Sequence, residues 1–293
     1  FPTQVNNSKW KLAADAALEA INCAKENGHE KLYTFSLPIN SISAATRKLL
    51  DIGEAVTEKW NEEIIWGSTR NVNGLQTVAM AKHTKGSHYN ARSVLGPTLS
   101  VAEAFYSSNG VPISEDNSDF WTANYPNRYE ITTIPDEGNN KYYLQIGEQT
   151  AYLHLNREPR FYASVSFNGC VWPLLKNAET VDYKNDVEKQ VNYYYGINTD
   201  GFSGTGVYLR SGIGIMKYVH PDDTNRKEIK AKAEPAIRFA EILLIYAEAL
   251  NELEDGSSYD IPSWDGSTSY SVKRDVDEMK KGIRQVRRRA GVP

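Results

Sequence analysis

The chain has 293 residues, 40% of them hydrophobic, which suits one large domain or two small ones with a sizeable core. Lys and Arg number 33 against 37 Asp and Glu, a net charge of −4, and nucleic-acid binders usually carry a basic surplus instead. No apolar run approaches the length of a bilayer span, and no charged-then-apolar leader opens the chain.

The first predicted helix has Ser8 as its cap. Trp10, Ala13, Ala14, Ala17, Leu18, Ile21 and Ala24 fall on one face, and Asn27-Gly28 ends it. A second helix is expected from Ser43 to about Ile52, stopped by Gly53, and the two read as a helix pair with a loop around Pro38. From Trp60 to Lys232 the texture changes to Gly, Asn, Ser, Thr and Tyr, and helical periodicity fades. One helix interrupts it, with Ser100 as cap and Glu103 as capping-box partner. Tyr142–Ile146, Tyr152–Leu155 and Phe161–Phe167 read as short strands. Long irregular stretches in a compact domain are usually functional or disordered, and the aromatic content speaks against disorder.

Helical spacing returns at Glu234. Pro235 fits a first turn, and Ile237, Ala240, Leu244, Ala247 and Leu250, with Leu243 and Tyr246 beside them, make one apolar face. Asp255-Gly256 stops this helix. A loop containing Trp264 follows. A final helix carries Val272, Val276, Met279, Ile283, Val286 and Ala290 as a seam for packing antiparallel on its predecessor.

Catalytic devices are missing from the sequence. The five histidines, His29, His83, His88, His154 and His220, show no metal-ligand spacing, and no nucleophile elbow or phosphate loop appears. Gly201–Gly206 reads as a flexible turn, and Cys23 and Cys170 as buried apolar thiols. No catalytic residue, metal or cofactor is therefore expected. Binding suits the composition better. Sugar recognition needs flat apolar faces against ring C–H groups, which Trp and Tyr supply, and polar groups against hydroxyls. The chain holds 18 Tyr and 6 Trp. Trp66–Asn73, His83 with His88–Arg92, and Asp119–Tyr125 mix both textures.

Five segments in order carry a resemblance. They are Asn61-Glu-Glu-Ile-Ile-Trp66, Pro97 to Pro112, Asn156-Arg-Glu-Pro-Arg-Phe161 with Asn168-Gly169, Arg238-Phe-Ala-Glu-Ile-Leu-Leu-Ile-Tyr-Ala-Glu-Ala-Leu-Asn-Glu252, and Ile283 to Pro293. Together they resemble the SusD/RagB family, outer-membrane nutrient-binding lipoproteins of Bacteroidetes, over nearly the whole chain. The resemblance implies a mainly α fold, a tetratricopeptide-like helical scaffold with a long loop-rich excursion. It implies a single partial domain: a helix pair over 1–59, the ligand-binding excursion over 60–232 and a terminal helix pair over 233–293. It also implies capture of an oligosaccharide at the cell surface for a SusC-type TonB-dependent transporter. Membrane attachment would come only through an N-terminal lipid anchor outside this chain. The start at Phe1-Pro2 and the stop at Pro293 read as those of a shortened chain. By position after the Asn-Glu-Ile segment, the expected platform stacks a sugar on Trp66, Tyr89 and Trp121, with Arg70, His88 and Arg92 at hydroxyls. Arg157, Pro159, Arg160 and Asn168-Gly169 are expected to lock loops, and Arg287–Arg289 to offset a helix dipole. Alternatives are oligopeptide capture, a glycan-active enzyme, and a scaffold with no small ligand.

Overall fold

Asn6 rather than Ser8 caps the first helix, its side chain accepting the Lys9 N–H at 3.2 Å. In the computed structural model, which describes residues 6–36, 43–70, 73–81, 93–173, 188–195, 201, 208–223, 229–263 and 265–293, the chain is mainly α. The helices are α1 (Asn7–Glu26), α2 (Ala44–Thr57), α3 (Asn73–Ala79), α4 (Leu99–Ala104), α5 (Asp119–Asn124), α6 (Asn140–Tyr143), α7 (Pro159–Ser164), α8 (Phe239–Glu252) and α9 (Val276–Ala290). The strands are β1 (Ile64–Ser68), β2 (Ile131–Thr133), β3 (Gln149–Ala151), β4 (Val165–Phe167), β5 (Val171–Pro173), β6 (Glu188–Gln190), β7 (Ile213–Ile215), β8 (Glu234–Arg238), β9 (Ser258–Pro262) and β10 (Ser269–Lys273). They pair only in twos: β1–β8, β2–β3, β4–β7, β5–β6 and β9–β10. Among the described residues no helix is long and apolar enough to cross a membrane.

The chain divides into two units. One is Phe1–Tyr33, Trp60–Ser68 and Pro235–Arg289; the other is Thr34–Lys59, Thr69–Glu234 and Ala290–Pro293. They interleave along the sequence, with cuts after Lys59 and Glu234, close to the expected 59 and 232, and further cuts after Tyr33, Ser68 and Arg289. Thus α1 and α2 belong to different units, each with its own partner.

In the first unit α1 packs on α8. Ala14, Ala17 and Ile21 share a core with Phe239, Leu243, Tyr246, Ala247 and Leu250. The α8 face is rotated from the expected one: Leu243 is buried and Leu244 exposed. Pro235 does not open a helix. It lies in β8, and the helix begins four residues later, where the Phe239 N–H donates to the Glu63 carbonyl at 2.9 Å. Val276 and Ile283 of the expected α9 seam are exposed, while Met279 is buried. Gly282 explains the shift, since a Cβ there would sit 2.8 Å from the Leu243 carbonyl oxygen, so the close helix approach runs through the glycine. The expected loop before α9 is the antiparallel hairpin β9–β10; Trp264 lies outside the described residues.

A fully buried carboxylate, Glu63, ties this unit together. Oε1 accepts from Arg238 at 2.7 Å; Oε2 accepts from Arg289 at 2.6 Å and from the Tyr33 N–H at 2.9 Å. A buried charge is tolerable only when paired and hydrogen-bonded in this way.

In the second unit α2 packs on α6 and α7. Ser43 caps α2 as expected, but the helix runs past Gly53 to Thr57. Burial of Glu54, Ala55 and Thr57 outweighs the cost of a mid-helix glycine, about 1 kcal/mol. Thr98 precedes α4 without a side-chain cap, and Glu103 turns instead to Arg128 and Tyr129. Tyr142 and Tyr143 end α6 and Leu144 makes only an isolated bridge to Cys170, Tyr152–His154 is a single 3₁₀ turn after β3, and Phe161–Ser164 is helical before β4. Cys23 is exposed, not buried; Cys170 is buried, and both are free thiols.

Two outcomes follow from the first unit. Glu63→Ala leaves two arginines in a buried setting and should cost roughly 3–5 kcal/mol in urea unfolding; a loss under 1 kcal/mol would show the cluster to be dispensable. Ala247→Asp, with the parent residue only 3% exposed, should yield little soluble folded protein, and an unchanged melting temperature would contradict the assigned face.

Candidate functional site

The structure disperses the expected platform. Trp66 stands on β1 of the first unit with its side chain 66% exposed, and so is a free aromatic face. Arg70, exposed, follows β1 and belongs to the second unit. His88, Tyr89 and Arg92 lie outside the described residues. Trp121 is corrected: on α5 it is 1% exposed, packed edge-on to Phe120 with centroids 5.2 Å apart, and no ligand can stack on it without opening the core.

An aromatic and polar cleft of about 570 Å³ lies elsewhere in the second unit. Tyr193, Tyr194, Ile131, Asn168, Gln149 and His154 line it. Its walls follow from local chemistry. β2 and β3 pair with Ile131 opposite Ala151 and Thr132 opposite Thr150, which presents Ile131 at the rim, 71% exposed. After β4 the chain turns at Asn168-Gly169, with Gly169 at φ +81°. Asn168 then bridges two walls: Nδ2 donates to the Gln149 carbonyl at 2.6 Å and Oδ1 accepts the Tyr193 N–H at 2.8 Å. The Tyr193 hydroxyl is held by Ser93 at 3.0 Å and Ser166 at 2.6 Å. Gly201 packs under the same stretch, where a Cβ would lie 2.3 Å from the Tyr194 carbonyl oxygen. Tyr194 is thereby offered to solvent at 52% exposure on a fixed backbone.

His154 gives the cleft a neutral polar atom. Its ring stacks on Phe167 with centroids 4.1 Å apart, and Nδ1 meets Thr150 Oγ1 at 2.7 Å. Burial, helped by the Arg157 charge, pushes its pKa down to about 3, so the imidazole is uncharged at neutral pH. Its Nε2 is buried without a protein partner.

Behind the cleft sits Arg157, fully buried. Its guanidinium donates to four carbonyls: Leu153 at 2.7 Å, Phe105 at 2.7 Å, Ala102 at 2.8 Å and Tyr106 at 3.3 Å. Burial lowers its pKa to about 10, leaving it protonated. Tyr162 accepts the Arg157 N–H and donates to the His154 carbonyl, at 3.1 and 3.0 Å. Glu158, also fully buried, accepts the Tyr106 N–H at 2.7 Å and pairs with Arg160. Thus Arg157, Glu158 and Arg160 lock loops, and none of them is among the described lining residues of the cleft above.

Among the described residues one group has metal-like spacing: the carboxylates of Glu54 and Glu58 and the imidazole of His220 offer atoms within 4.8 Å of one another. The chemistry argues against an ion. His220 Nδ1 accepts the Asp222 N–H at 3.0 Å, so Nε2 carries the proton and donates it to Glu58 at 3.1 Å. Lys230 Nζ supplies the positive charge, 3.2 Å from Glu58 and 3.3 Å from Asp222. Lys230 and the His220 N–H thus already engage the Glu58 carboxylate.

Sequence reasoning passed over Tyr193-Tyr194-Tyr195. The available signal was three successive tyrosines in a polar stretch, downstream of an Asn-Gly pair able to pin them.

Residues 62–293 match the model of the SusD family. No curated protein matches the chain. Solved structures do. "Selenomethionine BT4246" aligns over 98% of this chain and 47% of its own, at 20% identity and a TM-score of 0.68. A SusD-like protein, BF3747, from Bacteroides fragilis aligns over 98% and 46%, at 20% identity and a TM-score of 0.54. The chain thus spans about half the length of the structures that it matches, and at this identity the likeness concerns the fold.

The Glu58 cluster predicts a pH response. The hydrogen bond from His220 lowers its pKa most, burial opposes, and Lys230 adds to the lowering, for a folded value of about 2 against an ordinary 4.5. Its contribution is present above the ordinary value and disappears as pH falls toward the folded one. Between about pH 5 and pH 2 the parent should lose melting temperature more steeply than Glu58→Gln. Parallel curves would show that the carboxylate contributes nothing.

Proposed function

The chain belongs to the SusD family, and from that premise we propose that it captures an oligosaccharide at the outer-membrane surface and passes it to a SusC-type TonB-dependent transporter. The observation that carries the reading is the pairing of exposed tyrosine with fixed polar atoms in one cleft. Tyr194 offers a flat apolar face, and Asn168 and Gln149 offer hydrogen-bonding chemistry beside it. Sugar rings need both. The polar groups are held by backbone and side-chain bonds before any ligand arrives, which reduces the ordering cost of binding.

Binding without turnover is the second part of the proposal. His154 is held neutral with a pKa of about 3, and Arg157 is consumed by carbonyls, so neither is poised for proton transfer near pH 7. Transporter, surface location and lipid anchor rest on the family resemblance alone.

Trp66 keeps its place in the proposal as a second exposed aromatic. Calorimetry against plant, host and microbial polysaccharides should find a ligand whose affinity falls by roughly 1–3 kcal/mol in Tyr194→Ala. The melting temperature should hold, because the ring is half exposed. If Tyr194→Ala binds normally and Trp66→Ala does not, the ligand lies on β1 and the cleft reading is lost. Purified protein should release no reducing sugar from the bound polysaccharide; release abolished by one carboxylate substitution would make it an enzyme.

A further inference from the structure

A second cleft, of about 370 Å³, adjoins the first across a single turn of chain. Arg210 and Ser211 line the second cleft, and the next residue, Gly212, lines the first. Successive Cα atoms are only about 3.8 Å apart, so the two linings meet at this turn. The turn is firmly built. Ser211 Oγ donates to the Ile213 carbonyl at 2.9 Å, and Ile213 pairs with Phe167 in β7–β4. Gly96 presses against the same carbonyl, where a Cβ would come within 2.4 Å.

The two clefts differ in charge. Glu148 lines the first; the second has no carboxylate among its described lining residues. Its cation is Arg210, whose guanidinium lies 5.2 Å from the centre of the Tyr208 ring. Among the described residues Arg210 has no ion pair and no hydrogen-bond partner. Arg128, Arg157, Arg160, Arg238 and Arg289 are each engaged by a carboxylate or carbonyl; Arg210 is stacked, charged and available. A guanidinium fork matches a carboxylate or sulfate with two parallel hydrogen bonds, and the aromatic face limits its rotamers.

We infer that the protein selects acidic oligosaccharides, with Arg210 taking a uronate carboxylate or a sulfate while neighbouring sugar units lie over the tyrosines of the first cleft. The inference rests on the glycan-binding reading. Glu148 supplies the direction: its charge disfavours the anionic unit in the first cleft and favours it at Arg210.

The test is retardation of the full chain in gels carrying polygalacturonate, alginate, chondroitin sulfate or dextran sulfate, against starch, xylan and mannan. Retention by at least one acidic polymer and by none of the neutral ones is expected. The uronate and sulfate gels separate the two anion types. Arg210→Gln should weaken that retention about tenfold at an unchanged melting temperature, with Arg210→Lys intermediate. Added salt should weaken the parent more than Arg210→Gln. Retention by neutral polymers, or acidic binding indifferent to Arg210→Gln, overturns the acidic preference and leaves glycan capture standing. Retention by no polymer at all defeats glycan capture itself, and this inference with it.

Discussion

The buried guanidinium of Arg157 is the constraint on which the second unit depends. Its donors are spent on the carbonyls of Leu153, Ala102, Phe105 and Tyr106, gathering the end of α4, the segment after it and the 3₁₀ turn around one side chain. Loops left to water would not hold this shape. A permanently charged group in a dry site demands that its surroundings stay in place, because releasing one carbonyl strands part of the charge. His154 is fixed through Tyr162 from the same cluster, and β4, which ends at the cleft turn, continues directly from α7.

Glu63 plays the matching part in the first unit, with the signs exchanged. Here one carboxylate collects two guanidiniums and a backbone N–H. In both units the fully buried charged residues of these segments, Glu63, Arg157 and Glu158, are held by the protein itself. Their recurrence in family-like segments therefore reports architecture and not ligand contact. The groups that line the clefts are less conspicuous: Tyr194, Asn168, Gln149 and Arg210.

This division suits a protein that binds and releases. The first cleft presents an aromatic face, amide groups and an uncharged imidazole, all set by hydrogen bonds made within the protein. The adjoining cleft adds one cation on a stacked support.

The sequence by itself determined the long helices α1, α2, α8 and α9, the Ser43 cap and the burial of Ala240, Ala247 and Leu250, because these depend on spacing and local hydrogen bonds. It also carried the family, through strings long enough to be specific. Only the tertiary structure decided the rest. Leu243 and Leu244 are chemically alike, and the approach of α1 settles which one is buried. Pro235 is a sound first-turn residue until β1 recruits it into a strand. Trp66 and Trp121 look equally suited to a sugar, yet one stands on a two-stranded ribbon and the other fills a core. Tyr194 becomes a candidate contact because Asn168, more than twenty positions earlier, holds the backbone of Tyr193. Exposure is a property of what surrounds a side chain, and for these residues the surroundings come from distant parts of the chain.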